Sequence, residues 1–349
     1  MGASVVANDR FGSSVSLSGG NMAVGARTAS SGFAMALTGS GVTWTTAGVG
    51  YLAPNADGSA NYGAGVGVSG NNIVVAGYPS TACYAFLFSK TGTNWFQQGG
   101  TIKPPNWTAT SVFPNQGLAI DGTTFVTGGF YSAYVYSTSG GTPVALTPSD
   151  FTPSGGTGAW GNPVAINGNT ILVIGGQEDG SFQQAHWGYV FVKSGSTWTQ
   201  QAKLVPDDLA ANSGPAFRIS AAIQGDIAVI ATNFGGYVFT RSGTTWTQSQ
   251  KLVPPINDGL FGNSVAFSGN LLVVGAGNTN GGFGETYVYG LSNKTFVLGP
   301  TLKGVSSGPP DSFGQSVAVS NGVVAVGAPG LTVSSKSGAG GLYMYTCKP

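Results

Sequence analysis

The sequence predicts an all-β fold, a seven-bladed β-propeller of four-stranded antiparallel blades. Three observations predict it: a phrase that returns about every 50 residues, a turn pair between two apolar runs in each copy, and an aromatic run after each copy. The phrase is plainest as FGNSVAFSGNLLVVGA from Phe261, and it reads FGSSVSLSGGNMAVGA from Phe11 and FGQSVAVSNGVVAVGA from Phe313. YGAGVGVSGNNIVVAG from Tyr62 keeps the spacing with an aromatic substitute, and weaker copies start near Phe113, Trp160 and Phe217.

Within a copy, the alternating run, the Ser-Gly, Asn-Gly or Asp-Gly pair and the second Val/Ile/Leu-rich run spell a two-strand hairpin, because Gly and Asn tolerate positive φ. The third strand is the aromatic run, as in Tyr84-Ala-Phe-Leu-Phe88, Gly236-Tyr-Val-Phe239 and Leu342-Tyr-Met-Tyr345. The fourth follows a polar turn and opens on an aromatic, as in Trp198-Thr-Gln-Gln-Ala-Lys-Leu-Val-Pro206 and Trp246-Thr-Gln-Ser-Gln-Lys-Leu-Val-Pro254. One four-stranded sheet cannot bury both its faces, so seven such units in a row imply a closed ring.

Residues 1–349 are thus expected to form a single closed domain, with blades starting near residues 11, 62, 113, 160, 217, 261 and 313. The last copy stops after its third strand, and residues 3–8 resemble the tail of a fourth one, so they are expected to complete the seventh blade. Such closure pairs the two ends and removes an open edge.

Composition narrows the function. Only 7% of residues are charged against 41% hydrophobic, with a formal net charge of +1. No basic stripe exists to gather phosphates, which speaks against nucleic-acid binding. No apolar run approaches the roughly 20 residues of a spanning helix, and the N-terminal segment has no secretory h-region. Cys83 and Cys347 fall in the second and seventh blades and are not expected to pair with each other.

The Phe313-Gly314 start and Gly327-Ala328-Pro329 end of the last copy are the words for which FG-GAP repeats are named. The chain resembles an FG-GAP propeller, similar in blade pattern to the head of integrin alpha chains. The resemblance implies a seven-bladed ring and adhesion or partner binding outside the cell. One departure matters: the first turn of each copy, from Ser18-Gly-Gly-Asn21 to Ser320-Asn-Gly322, carries no spaced aspartates. Calcium needs several oxygen ligands at fixed spacing, so no metal site is carried over.

Candidate contacts fall in three groups. Asp9, Asp57, Asp207, Asp208, Asp258 and Asp311 precede the blade starts, where they would line one rim or simply cap turns. Trp44, Trp95, Trp198, Trp246 and Phe296 open the outer strands, where they would stack on sugars or cover the blade edge. Trp107 and Trp187 stand outside that series as single contact candidates. Asn106-Trp-Thr108 and Asn293-Lys-Thr295 are N-glycosylation sequons. Catalysis has little to use: His186 is the one histidine, and neighbouring carboxylates such as Glu178-Asp179 diverge rather than share a substrate.

The sequence therefore points to a non-enzymatic, cofactor-free structural or adhesive propeller, extracellular or on a surface such as a virion coat. Its expected partners are proteins or copies of itself. The alternative is a carbohydrate-binding, lectin-like propeller using the repeated aromatics.

Overall fold

The computed structural model describes residues 6–28, 32–52, 61–77, 84–105, 117–129, 132–150, 160–178, 184–208, 219–256, 260–278, 280–305 and 310–347. Blade 1 runs β1(Phe11–Ser18), β2(Asn21–Ala26), β3(Phe33–Ser40) and β4(Thr43–Leu52). Blade 2 is β5(Gly65–Ser69), β6(Asn72–Gly77), β7(Tyr84–Thr91) and β8(Asn94–Ile102), and blade 3 is β9(Leu118–Asp121), β10(Thr124–Thr127), β11(Ala133–Ser137) and β12(Val144–Leu146). Blade 4 comprises β13(Trp160–Asn167), β14(Thr170–Glu178), β15(Gln184–Ser194) and β16(Thr197–Leu204). Blade 5 comprises β17(Ile219–Gln224), β18(Ile227–Thr232), β19(Gly235–Ser242) and β20(Thr245–Leu252). Blade 6 is β21(Ser264–Ser268), β22(Leu271–Ala276), β23(Glu285–Ser292) and β24(Thr295–Leu302), and blade 7 is β25(Ser316–Ser320), β26(Val323–Ala328) and β27(Gly341–Thr346).

Every sheet is an antiparallel meander in chain order, so the all-β, seven-bladed expectation holds, and the described residues give blade 7 three strands. The first strands β1, β5, β9, β13, β17, β21 and β25 pack in succession, and β25 returns to β1, which closes the ring. Of the segment expected to finish blade 7, residues 3–5 lie outside the described residues. Residues 6–8 make no strand: Asn8 N–H donates to Ser337 O, Arg10 N–H to Gly338 O and Phe11 N–H to Ala339 O, all just ahead of β27.

The hydrophobic core is divided among the blade interfaces. One cluster joins blades 1 and 2 through Leu52, Tyr62, Ile73 and Phe86. Others follow between successive blades, and the last sets Leu17, Met22 and Val24 of blade 1 against Ala318 and Ala325 of blade 7. Each buried large side chain contributes about 1.5–3 kcal/mol, so the blades hold one another by their faces.

The recurring Phe-Gly and Gly-Ala words make the joints between blades. The aromatic is buried at Tyr62, Phe261 and Phe313, while the glycine after it takes positive φ at Gly63, Gly262 and Gly314. That turn aims the glycine carbonyl at the preceding blade, where a serine hydroxyl donates to it. Ser14 Oγ reaches Gly63 O at 2.9 Å, Ser220 reaches Gly262 at 2.9 Å, Ser264 reaches Gly314 at 3.1 Å and Ser316 reaches Gly12 at 2.8 Å. The glycine of Gly-Ala lies against the same carbonyl, with no room for a methyl at Gly25, Gly275 or Gly327.

Candidate functional site

A four-strand meander places its first and third turns on one face of the disc and its second turn and exit on the other. The turn face is built from two-residue hairpins. In six blades a positive-φ glycine leads the turn, and its N–H has no partner within its own blade. The residue ending the preceding blade's first strand supplies one: Ser18 accepts from Gly70 N–H, Ser69 from Gly122, Asp121 from Gly168, Asn167 from Gly225, Gln224 from Gly269 and Ser320 from Gly19. The turns that lack spaced aspartates are thus a girdle of side-chain caps. At the blade 6–7 joint the turn is instead Asn321-Gly322, both at positive φ. There a cleft of about 550 Å³ lies between Ser268, Gly269 and Leu271 on one side and Asn321, Thr346 and Cys347 on the other. Cys347 is a free thiol, and burial pushes its pKa up.

The loop face carries a repeated Lys, Tyr and carboxylate set. Tyr189 and Lys203 sit opposite each other on β15 and β16, as Tyr237 and Lys251 do on β19 and β20. The preceding blade supplies the anion: Lys203 Nζ is 2.6 Å from Asp150 Oδ2, and Lys251 pairs with Asp208. A glutamine beneath each lysine caps the same loop, since Gln200 Oε1 accepts from Ser149 N–H at 3.0 Å and Gln248 Oε1 from Asp207 N–H at 3.0 Å. Partial burial opposes ionisation of both carboxylates, yet the lysine contacts prevail and hold Asp150 and Asp208 below the usual range. Lys203 also lies 3.8 Å from the centre of the Trp187 ring, which is half-buried.

Blade 6 varies the set. Glu285 is buried, accepts from Tyr287 Oη at 2.9 Å and pairs with Lys303 at 2.8 Å. Asp311, buried at 1% exposure, accepts from Phe313 N–H through Oδ1, and desolvation raises its pKa above the ordinary carboxylate value.

The aspartates named from the sequence divide accordingly. Asp207 and Asp208 stand exposed on the loop face, Asp311 is enclosed, and Asp9 caps a turn by accepting from Val6 N–H at 2.6 Å. Asp57 and Asp258 lie outside the described residues, as do Trp107, Asn106 and Cys83. Asn293 is exposed at the β23–β24 turn. Asp150 was missed because it belongs to the least regular connection, yet its counterpart at Asp208, one blade on, was a usable signal.

The aromatic series lies mainly under other side chains. Trp95 and Phe296 are buried, at 4% and 3% exposure, so neither presents a ring to a ligand. Trp44, Trp198 and Trp246 are half-buried, the last two beneath Lys193 and Arg241. Trp246 Nε1–H donates to Gln201 and Trp44 Nε1–H to Gly41 O. Among the described residues no three His, Cys, Asp or Glu side chains gather as a metal site, and no helix is long and apolar enough to cross a membrane.

The outer rim carries little charge. Of the outermost strands, β4, β8, β12, β24 and β27 have no charged residue, and the lysines of β16 and β20 are those paired with Asp150 and Asp208. Tyr51, Phe96, Val297 and Leu298 are exposed there, on blades 1, 2 and 6.

A family model described as FG-GAP repeat matches residues 4–40 and 246–289, which hold the strongest copies in blades 1 and 6. No curated protein matches the chain in sequence. Among solved structures, the chain is similar to the extracellular domain of a one component system from B. thetaiotaomicron. The match has 13% identity and a TM-score of 0.51, over 99% of this chain and 39% of that one, so the chain spans about two-fifths of that protein. It is also similar to a protein from Lactobacillus plantarum, at 15% identity and a TM-score of 0.51, over 92% of this chain and 94% of that one. At such identities these likenesses speak to fold.

Proposed function

We propose that this chain, an FG-GAP repeat β-propeller, is a non-enzymatic structural or adhesive disc on an extracellular or particle surface, working through protein–protein contacts that include copies of itself. FG-GAP propellers are typically extracellular, generally non-catalytic and suited to protein–protein interaction, which supports the coarser part of this reading. The rim supports the finer part. Interface cores are depleted in charge and enriched in aromatics, and a circumference whose only two strand lysines are neutralised has little repulsion to keep discs apart. Tyr51, Phe96, Val297 and Leu298 give that rim an apolar surface.

A lectin-like reading draws less support, because two of the five outer-strand aromatics are buried and two more lie beneath a cation. The test is light scattering on the natively purified chain over a concentration series. Growing mass that falls when Phe96→Glu and Val297→Glu are introduced together supports self-association through the rim. A mass of 35.0 kDa at every concentration overturns self-association and turns attention to a glycan screen.

A further inference from the structure

The turns between the third and fourth strands follow one pattern, and blade 6 departs from it. In blades 1, 2, 4, 5 and 6 a two-residue turn joins those strands, between Ser40 and Thr43, Thr91 and Asn94, Ser194 and Thr197, Ser242 and Thr245, and Ser292 and Thr295. In the first four the leading turn residue is a glycine at positive φ: Gly41, Gly92, Gly195 and Gly243. Blades 1, 4 and 5 therefore read Gly-x-Thr, as Gly41-Val-Thr43, Gly195-Ser-Thr197 and Gly243-Thr-Thr245. Blade 6 reads Asn293-Lys-Thr295 instead, with Asn293 at φ 50° and Lys294 at φ 64°. A single exchange in the repeated turn creates the sequon.

The left-handed backbone explains why asparagine is allowed here, since it follows glycine in tolerating that region, but not what its side chain does. Elsewhere on the turn face asparagines bond across the joints. Asn21 Nδ2 donates to Gly70 O at 2.9 Å, Asn72 Nδ2 donates to Gly122 O at 3.3 Å, and Asn167 Oδ1 accepts from Gly225 N–H at 2.9 Å. Asn293, Lys294 and Thr295 make no side-chain hydrogen bond or ion pair among the described residues, and all three are exposed. The equivalent positions open onto free space: a Cβ added at Gly92, Gly195 or Gly243 meets no atom within 4 Å. The base of the turn is fixed, because Phe296 is buried and Gln250 of blade 5 bonds both its N–H, at 2.8 Å, and its carbonyl, at 2.7 Å. A side chain at this tip can carry a large group without displacing any part of the disc.

We propose that Asn293 is an N-glycan acceptor, taking an oligosaccharide from a lipid-linked diphosphate donor. The inference rests on the reading of the chain as an extracellular or surface-borne protein and adds a modification site to it. In the transfer, Asn293 Nδ2 bonds to the anomeric carbon of the first sugar. The bond from that carbon to the diphosphate oxygen breaks, the lipid diphosphate leaves with the electron pair, and the amide proton passes to a base. Thr295 supplies the hydroxyl that completes the sequon.

Peptide mapping of the full 349-residue chain, secreted from eukaryotic cells behind a cleavable signal, tests this. The peptide that contains Asn293 carries an oligosaccharide that N-glycosidase removes, and release in heavy-oxygen water leaves a labelled aspartate in its place. Thr295→Ala abolishes the modification and Thr295→Ser keeps it. Asn293→Gly, which writes the turn of blades 4 and 5 into blade 6, abolishes it as well. An unmodified Asn293 in the secreted chain overturns the proposal, as does a modification that survives Thr295→Ala. The same mapping on the natively purified chain separates the two readings. An Asn293 that is bare there but modified in the secreted chain overturns the extracellular reading and leaves the acceptor site standing.

Discussion

Gly327→Ala should break the joint between the last blade and the first. A methyl carbon at residue 327 would fall 2.0 Å from the Gly12 carbonyl oxygen, 2.4 Å from Ser316 Oγ and 2.9 Å from the Gly12 carbonyl carbon. Favourable carbon contacts lie near 3.5–4.0 Å, so the two blades would have to part by about 1.5 Å. Two of the three obstacles are backbone, and the third is held in the Ser316 to Gly12 hydrogen bond. Overpacking costs about 1–3 kcal/mol, and a buried carbonyl stripped of its donor adds about 1–3 kcal/mol, for a loss of roughly 2–6 kcal/mol. Urea denaturation followed by tryptophan fluorescence measures it as a lowered midpoint. Gly275→Ala, which meets the equivalent atoms at the blade 6–7 joint, should lose a similar amount. Gly290→Ala, with no atom within 4 Å of the added carbon, should change stability by no more than about 1 kcal/mol. If Gly327→Ala matches Gly290→Ala, the joints are not where the ring is specified.

Ser316→Ala should cost about 1–3 kcal/mol in the same assay, because the Gly12 carbonyl stays buried without its donor. Asp311 has a folded pKa raised by burial, so its contribution is present at pH below the unfolded carboxylate value and is lost as pH rises through the folded one. Asp311→Asn, which keeps an acceptor for Phe313 N–H, should therefore raise the melting temperature at pH 7 and flatten its fall between acid and neutral pH. A variant no more stable than wild type at pH 7 would show that the ionised carboxylate is satisfied. Lys203→Met should cost at most about 1 kcal/mol, since its pair with Asp150 is partly exposed, and the difference should shrink in 1 M salt. Lys303→Met should cost more than Lys203→Met, because it takes the cation from Glu285, whose side chain is 4% exposed, and leaves the Tyr287 hydroxyl to donate to an otherwise uncompensated charge.

Much of the ring was legible because a hairpin writes itself locally. Period-two apolar runs around Ser69-Gly-Asn-Asn72 or Ser268-Gly-Asn-Leu271 fix both strands and the turn within a dozen residues, and each repeats around the chain. What lay beyond reach was the use of polar residues across joints. Ser18 looks like a turn residue of its own blade, yet it accepts from Gly70 of the next one. Asp150 and Lys203 are 53 residues apart and meet only because the ring brings one blade's exit to the next blade's outer strand. The aromatic series misled for a related reason: the sequence gives its recurrence but not its depth, and Trp95 sits under the edge where Trp198 is half-covered. The segment read as finishing the seventh blade, residues 3–8, is described only from residue 6, where Asn8 N–H donates to Ser337 O beside the last blade.

The serine-to-glycine joint has a consequence for symmetry. Blades 1, 6 and 7 carry the hydroxyl on one flank and the accepting carbonyl on the other, so these neighbours meet head to tail, as subunits do in a heterologous ring. The joint from Ser316 to Gly12 has the same partners as those from Ser14 to Gly63 and Ser264 to Gly314, although no peptide bond crosses it. Blade recognition is therefore independent of covalent order. A circular permutant linked across the present ends and opened between blades 5 and 6 should assemble the same disc, because the rotation from blade to blade, and not the chain's path, decides when the circle closes.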